Sequence, residues 1–226
     1  MTENRDMKNR EDYEPSPVIN LRAKQPGVTA PDGDALTGIC RSLLEELGED
    51  TEREGLVRTP ARMAESFRYL TSGNGQDLRE VLNEAVFDAE DYSEPVLVRN
   101  VEFYSLCEHH LLPFFGHMSV AYIPSRKVIG LSKIPRLIDV YARRLQLQER
   151  LTNQVAGAIQ ELLDPKGVAV WATAFHLCMS MRGVSKQESV TGTMSFLGDY
   201  RRDAGLRREF LSLVQRDNPL PDPESA

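Results

Sequence analysis

The sequence predicts an α+β domain, with helices on one face of an antiparallel sheet, preceded by a separate helical part. Three observations predict it. Apolar residues recur at helical spacing through residues 34–83. From Pro95 the pattern switches to alternating, β-branched and aromatic runs. Two further helix-period segments then lie between an early pair of strands and a late pair, an order that favours a four-stranded antiparallel sheet with both helices on one side. The expected division is a disordered tail over 1–31, a helical part over 32–94, a body over 95–216 and a C-terminal tail over 217–226.

The tail, MTENRDMKNREDYEP onward, is charged and lacks hydrophobic periodicity. Asp34 is placed to cap a helix to Leu47, with Leu36, Ile39, Leu43, Leu44 and Leu47 on its apolar side and Gly48 as its stop. Thr59-Pro60 opens a second helix, with Thr as cap and Pro in the first turn; Met63, Phe67 and Leu70 form its stripe, and Ser-Gly-Asn-Gly ends it. A short helix is expected over Asp77–Asn83. Pro95–Cys107 and Gly116–Pro124 are expected strands, with a third, short one near Lys127–Gly130. Ser132 is placed to cap a helix over Lys133–Arg144 and a second helix covers Gln146–Leu163, ending at Asp-Pro-Lys-Gly. Strands over Val168–Met181 and Ser189–Phe196 and a helix over Ala204–Val214 complete the chain. Along Val168–Met181 the odd positions are bulky and the even ones small or polar. That parity predicts that the bulky face lies under the helices and that the even face, with His176 and Cys178, faces something other than a packed core.

Composition excludes several classes. The net charge of −7 disfavours a general nucleic-acid surface, which wants basic charge. No apolar run approaches the ~20 residues of a membrane span, and the polar N-terminus has no secretory core segment. Three cysteines make no disulfide framework, so a reducing, cytoplasmic setting is expected, where Cys binds metal or does chemistry. Three of the four histidines and two of the three cysteines fall in Cys107-Glu-His-His110 and His176-Leu-Cys178. Two such clusters suggest one metal site assembled from separate segments; three ligands with an open fourth position would make it catalytic. His117 and Cys40 belong to neither cluster and are expected to be structural.

Longer motifs carry a resemblance. Ser105-Leu-Cys-Glu-His-His-Leu-Leu-Pro-Phe114, Gly130-Leu-Ser-Lys-Ile134, Arg143-Arg-Leu-Gln-Leu-Gln-Glu-Arg-Leu-Thr152 and His176-x-Cys-Met-x-Met-Arg-Gly-Val184 stand in one order, with a weaker Gly55-Leu-x-x-Thr-Pro-x-Arg62 before them. Over roughly residues 34–216 the chain resembles the GTP cyclohydrolase I family. The resemblance implies the tunnelling fold, a homodecamer of two pentamers without nucleic-acid or membrane partners, and zinc-dependent conversion of GTP to 7,8-dihydroneopterin triphosphate and formate, the first step of a pterin- or folate-type pathway. It implies Cys107, His110 and Cys178 as zinc ligands, and His109, His176 and Ser132 as catalytic residues. Glu149, with Gln148, would hold the guanine edge, and Lys133, Arg136, Arg182 and Arg62 the ribose and triphosphate.

The residue types suit that chemistry. Zinc lowers the pKa of bound water toward ~7. Imidazole moves protons near neutral pH. One carboxylate accepts from both the ring N–H and the amine of guanine, and Lys and Arg match a polyanion. For Glu149 the competing role is a helical salt bridge to Arg143, Arg144 or Arg150. Thr173 stands where relatives tend to carry an acidic residue, and Met194–Tyr200 is about two residues longer than the family's turn. Other tunnelling-fold purine or pterin enzymes and an inactive regulatory relative are the alternatives; metal content and GTP turnover separate them.

Overall fold

A computed structural model of the chain describes residues 35–82 and 85–215. The tails over 1–31 and 217–226, the expected cap Asp34 and the end of the short helix at Asn83 lie outside the described residues.

Helix α1 (Ala35–Glu46) packs on α2 (Thr59–Leu70), and Gly48, at φ +81, gives α1 the left-handed stop that its sequence predicts. The stripe expected to bury α1 mostly does not. Leu44 and Cys40 are buried, whereas Ile39, Leu43 and Leu47 are exposed, Ile39 to 63%. Thr59 is not the cap of α2: Arg58 occupies that position in helical conformation, and the Thr59 hydroxyl instead donates to the Gly55 carbonyl at 3.4 Å. The Ser72–Gly75 stop is one 3-10 turn, followed by α3 (Leu78–Leu82).

The body holds a five-stranded sheet in the order β5-β2-β3-β6-β7. Its strands are β2 (Val96–Cys107), β3 (Pro113–Ile123), β5 (Leu145–Gln146), β6 (Gly167–His176) and β7 (Val190–Leu197). All neighbours are antiparallel except the two-residue β5, which runs parallel to the end of β2. Pro113 fits as the first residue of β3, where a missing N–H costs little. A second, two-stranded sheet pairs β1 (Val86–Asp88) with β4 (Lys127–Ile129). Helix α4 (Lys133–Ala142) follows β4, again without a side-chain cap bond from Ser132, and α5 (Gln148–Leu163) ends on Asp164, a left-handed residue at φ 45. The C-terminal segment adds α7 (Gly198–Arg202) and α8 (Ala204–Gln215).

The parity expected along β6 is inverted. Val168, Val170, Ala172 and Ala174 are at most 2% exposed and share one core with Leu151, Val155 and Ile159 of α5 and Ile134, Leu137 and Ile138 of α4. Small side chains let α5 settle close to the sheet, so the small face lies under the helices. The bulky face points the other way. There Ala169 packs with Tyr200, Phe210 and Val214, with Trp171 at the margin, while the rings of Tyr104, Phe115 and Phe175 run across β2, β3 and β6 at centroid spacings of 5.9 and 6.0 Å. The strand also stops early: Leu177–Ser180 is a helical turn, α6, so His176 and Cys178 do not share a strand face.

One of the contacts that seat the helical part on the body is made at Gly73. A Cβ on Gly73 would lie 2.2 Å from the Val140 carbonyl oxygen, so only glycine fits there. The Gly73 N–H donates to the Arg143 carbonyl at 2.9 Å, and the Arg143 guanidinium lies 4.4 Å from the centre of the Tyr69 ring.

Candidate metal centre and active site

Three strand ends converge. Leu106 pairs with Pro113 and Phe114 with His176, which brings the end of β2, the start of β3 and the end of β6 together. Between β2 and β3 the chain turns tightly. The Cys107 carbonyl accepts from the His110 and Leu111 N–H groups at 3.3 and 2.8 Å, and Leu111 takes a left-handed φ of 54. The turn leaves Cys107 buried and His109 and His110 exposed. Glu108, between them, is bound elsewhere: its carboxylate accepts from both Arg150 terminal nitrogens at 2.5 and 3.0 Å, and Arg150 holds it below the usual carboxylate range. That bidentate pair ties the turn to the first turn of α5.

The α6 turn returns Cys178 to this corner. The ligand atoms of Cys107, His110 and Cys178 all lie within 4.8 Å of one another, with the Cys107 sulfur 3.8 Å from His110 Nδ1. Zn–S and Zn–N bonds of ~2.3 and ~2.0 Å in a tetrahedron put donors roughly 3.5 Å apart, so the trio fits a zinc-sized ion with slight closure. The chemistry of the donors fits too. Burial and the neighbouring Cys107 thiol push the Cys178 thiol up. A divalent cation between the two sulfurs would reverse that effect. His110 is the exposed member of the trio.

His176 lies flat against Phe114, ring centres 4.7 Å apart and planes within 2°, and its Nε2 is 2.8 Å from Gln148 Oε1. Burial lowers its pKa while the charge of Glu149 raises it. Glu149 is exposed and makes no hydrogen bond or ion pair among the described residues. The three arginines around it are engaged elsewhere: Arg143 with Asp139, Arg144 over the Tyr141 ring, Arg150 with Glu108. Arg182 lies near enough for its charge to act on Cys178. Gln148 is different: it is 1% exposed and sits behind His176 rather than on the open face.

The other residues singled out by sequence belong to α4 and α2. Ser132, Lys133 and Arg136 stand at the far end of α4, whose C-terminal end adjoins β2 through the Ser105 hydroxyl bonded to the Arg144 carbonyl. Ten residues of helix put roughly 15 Å between the two ends. Lys133 donates to the Val81 carbonyl at 3.4 Å. Arg62 stands exposed on α2 with no side-chain partner among the described residues. Sequence reasoning missed the Glu108–Arg150 pair and the Phe114 shelf under His176. All three residues lie within the quoted motifs, but pairing across 42 positions, as between Glu108 and Arg150, has no local signal.

Comparison with known proteins places this geometry. The family model described as GTP cyclohydrolase I matches residues 37–215. A protein of Deinococcus radiodurans named GTP cyclohydrolase 1 is 54% identical over 190 residues, covering 84% of this chain and 88% of its own length. Proteins of the same name from Methylococcus capsulatus and Alkalilimnicola ehrlichii are 58% and 57% identical over 174 and 175 residues, each covering 77% of this chain and 94% of its own length.

Proposed function

The chain belongs to the GTP cyclohydrolase I family, and from that premise we propose that it hydrolyses GTP to 7,8-dihydroneopterin triphosphate and formate through a zinc site held by Cys107, His110 and Cys178. The observation that carries the reading is the convergence of those three donors within 4.8 Å, in a chain of this family. A zinc ion held by Cys107, His110 and Cys178 would supply Lewis acidity and lower the pKa of a bound water.

The remaining chemistry falls to side chains. His176 is partly buried and its pKa is lowered, so near neutral pH it is an imidazole able to take a proton. His109, exposed on the metal turn, is the second proton carrier. Glu149 holds the guanine edge: its carboxylate has no other partner among the described residues and two N–H donors of guanine satisfy it. Arg182 adds positive charge beside the trio for the anionic end of the nucleotide.

Ser132, Lys133, Arg136 and Arg62 bind ribose and phosphates, and we place them in the site of a neighbouring copy. Support comes from α4, whose ten residues put roughly 15 Å between Ser132 and Lys133 at its start and the end that adjoins β2. The assembly is a homo-oligomer, a decamer of two pentamers, acting in the cytoplasm at the first step of a pterin- or folate-type pathway. No helix among the described residues is long and apolar enough to cross a membrane. The test is incubation of the zinc-loaded protein with GTP, following formate and the fluorescence of the oxidised pterin. Release of neither product, with zinc bound, would overturn the reading.

A further inference from the structure

Gln148 is almost fully buried, yet its amide has four polar partners. Its Nε2 lies 2.9 Å from the Thr191 carbonyl, 3.2 Å from the Ala172 carbonyl and 3.2 Å from the Thr193 hydroxyl; its Oε1 lies 2.8 Å from His176 Nε2. Backbone carbonyls only accept, so the NH2 group must face β6 and β7. The oxygen therefore faces His176 as an acceptor. The hydroxyls nearby agree with that polarity. Thr152 donates to the Gln148 carbonyl at 2.8 Å, so in the 2.6 Å contact between Thr152 and Thr193 the proton comes from Thr193, whose lone pair is left for the Gln148 amide. An acceptor held in this way demands a hydrogen on His176 Nε2.

We propose that Gln148 is a positioning residue for His176: it fixes the Nε2–H tautomer and, with Phe114 against the ring, the ring orientation, so that Nδ1 is the atom that exchanges protons with substrate. A place on the guanine edge, which the sequence resemblance implies for Gln148, would require its amide to leave both strands. The inference rests on the reading that His176 moves protons in GTP hydrolysis.

Nitrogen NMR of the zinc-loaded, full-length protein labelled in its four histidines tests the geometry without any substitution at Gln148. His176 is assigned by the signal lost in His176→Ser. The spectrum, taken well above the ordinary imidazole pKa of ~6.5, should show a protonated Nε2 and a bare Nδ1; a protonated Nδ1 overturns the proposal. Gln148→Met, similar in length but unable to hydrogen-bond this way, tests the consequence. It should lower kcat by about 10-fold or more, leave KM for GTP within about 2-fold and zinc unchanged, and mix the His176 tautomers. In a His176→Ser background it should cost nothing further. A raised KM with kcat intact, or the same kcat loss repeated in that background, overturns it. If Gln148→Met does not fold, the wild-type spectrum still decides. A His176→Ser enzyme with full GTP turnover would instead overturn the underlying reading, while the spectrum still reports whether Gln148 sets the tautomer.

Discussion

Glu149 is surrounded by three arginines and bound by none of them, and this separates its two candidate roles. A helical salt bridge would place its charge against Arg143, Arg144 or Arg150, but each faces another partner. Glu149→Gln should therefore change stability by no more than about 0.5 kcal/mol, as an exposed substitution does. It should lower kcat/KM for GTP by about 10²-fold or more, because the amide accepts only one of the two guanine N–H groups well. Steady-state kinetics beside a melting curve checks both; unchanged turnover would remove Glu149 from the substrate site. For Cys178 the expected outcome concerns metal. Cys178→Ser leaves a weaker donor opposite Cys107, so elemental analysis should find most zinc lost, with a near-native circular dichroism spectrum. Full zinc retention would take Cys178 out of the ligand set.

At the scale of elements, one turn of helix matters more than any long one. If β6 continued through Met181, as its composition predicts, Cys178 would project beside His176 on an extended strand. The α6 turn after His176 returns the Cys178 sulfur toward Cys107 while His176 stays against Phe114. The 3-10 turn at Ser72–Gly75 holds the helical part to the body, since its backbone lies against the end of α4. Gly73→Ala puts a methyl group into the Val140 carbonyl. It should cost about 1–3 kcal/mol, measured by urea unfolding, with zinc content kept, because the metal corner lies on other elements. A neutral effect would mean that the helical part is not seated on the body through this contact.

At the scale of the whole molecule, the single chain leaves apolar surface uncovered. Ile39, Leu43 and Leu47 on α1 and Tyr104 on the free sheet face are all more than a third exposed. That uncovered apolar surface argues for assembly. Light scattering on the active protein should give a mass near ten chains, and an active monomer would contradict it. The fold also predicts an alkaline limit. Tyr200, 3% exposed, is pushed up to about 12 from an ordinary 10 by burial, with the charge of Glu209 adding. The folded chain thus keeps a proton that the unfolded chain releases above pH ~10. The stabilisation is fully present below ~10 and is lost as pH rises through ~12, a loss of about 2–3 kcal/mol. Urea midpoints measured across that range should fall, and Tyr200→Phe should flatten the fall; an equal slope in the variant would refute the assignment.

The sequence by itself determined the class of fold, the positions of most helices and strands, and a candidate donor set for a metal, because these depend on local period and residue type. Gly48 stops α1 through its own backbone freedom, and the Cys107–His110 spacing needs only one turn. The tertiary structure alone decided which face of β6 lies under the helices. Bulk along one strand cannot say how closely a helix will approach, and α5 settled over Ala172 and Ala174, not over Trp171 and Phe175. It also decided that Gln148 stands behind His176 while its neighbour Glu149 faces outward. Adjacent residues on a helix point about 100° apart, and only the sheet packed against α5 fixes which of the two is buried.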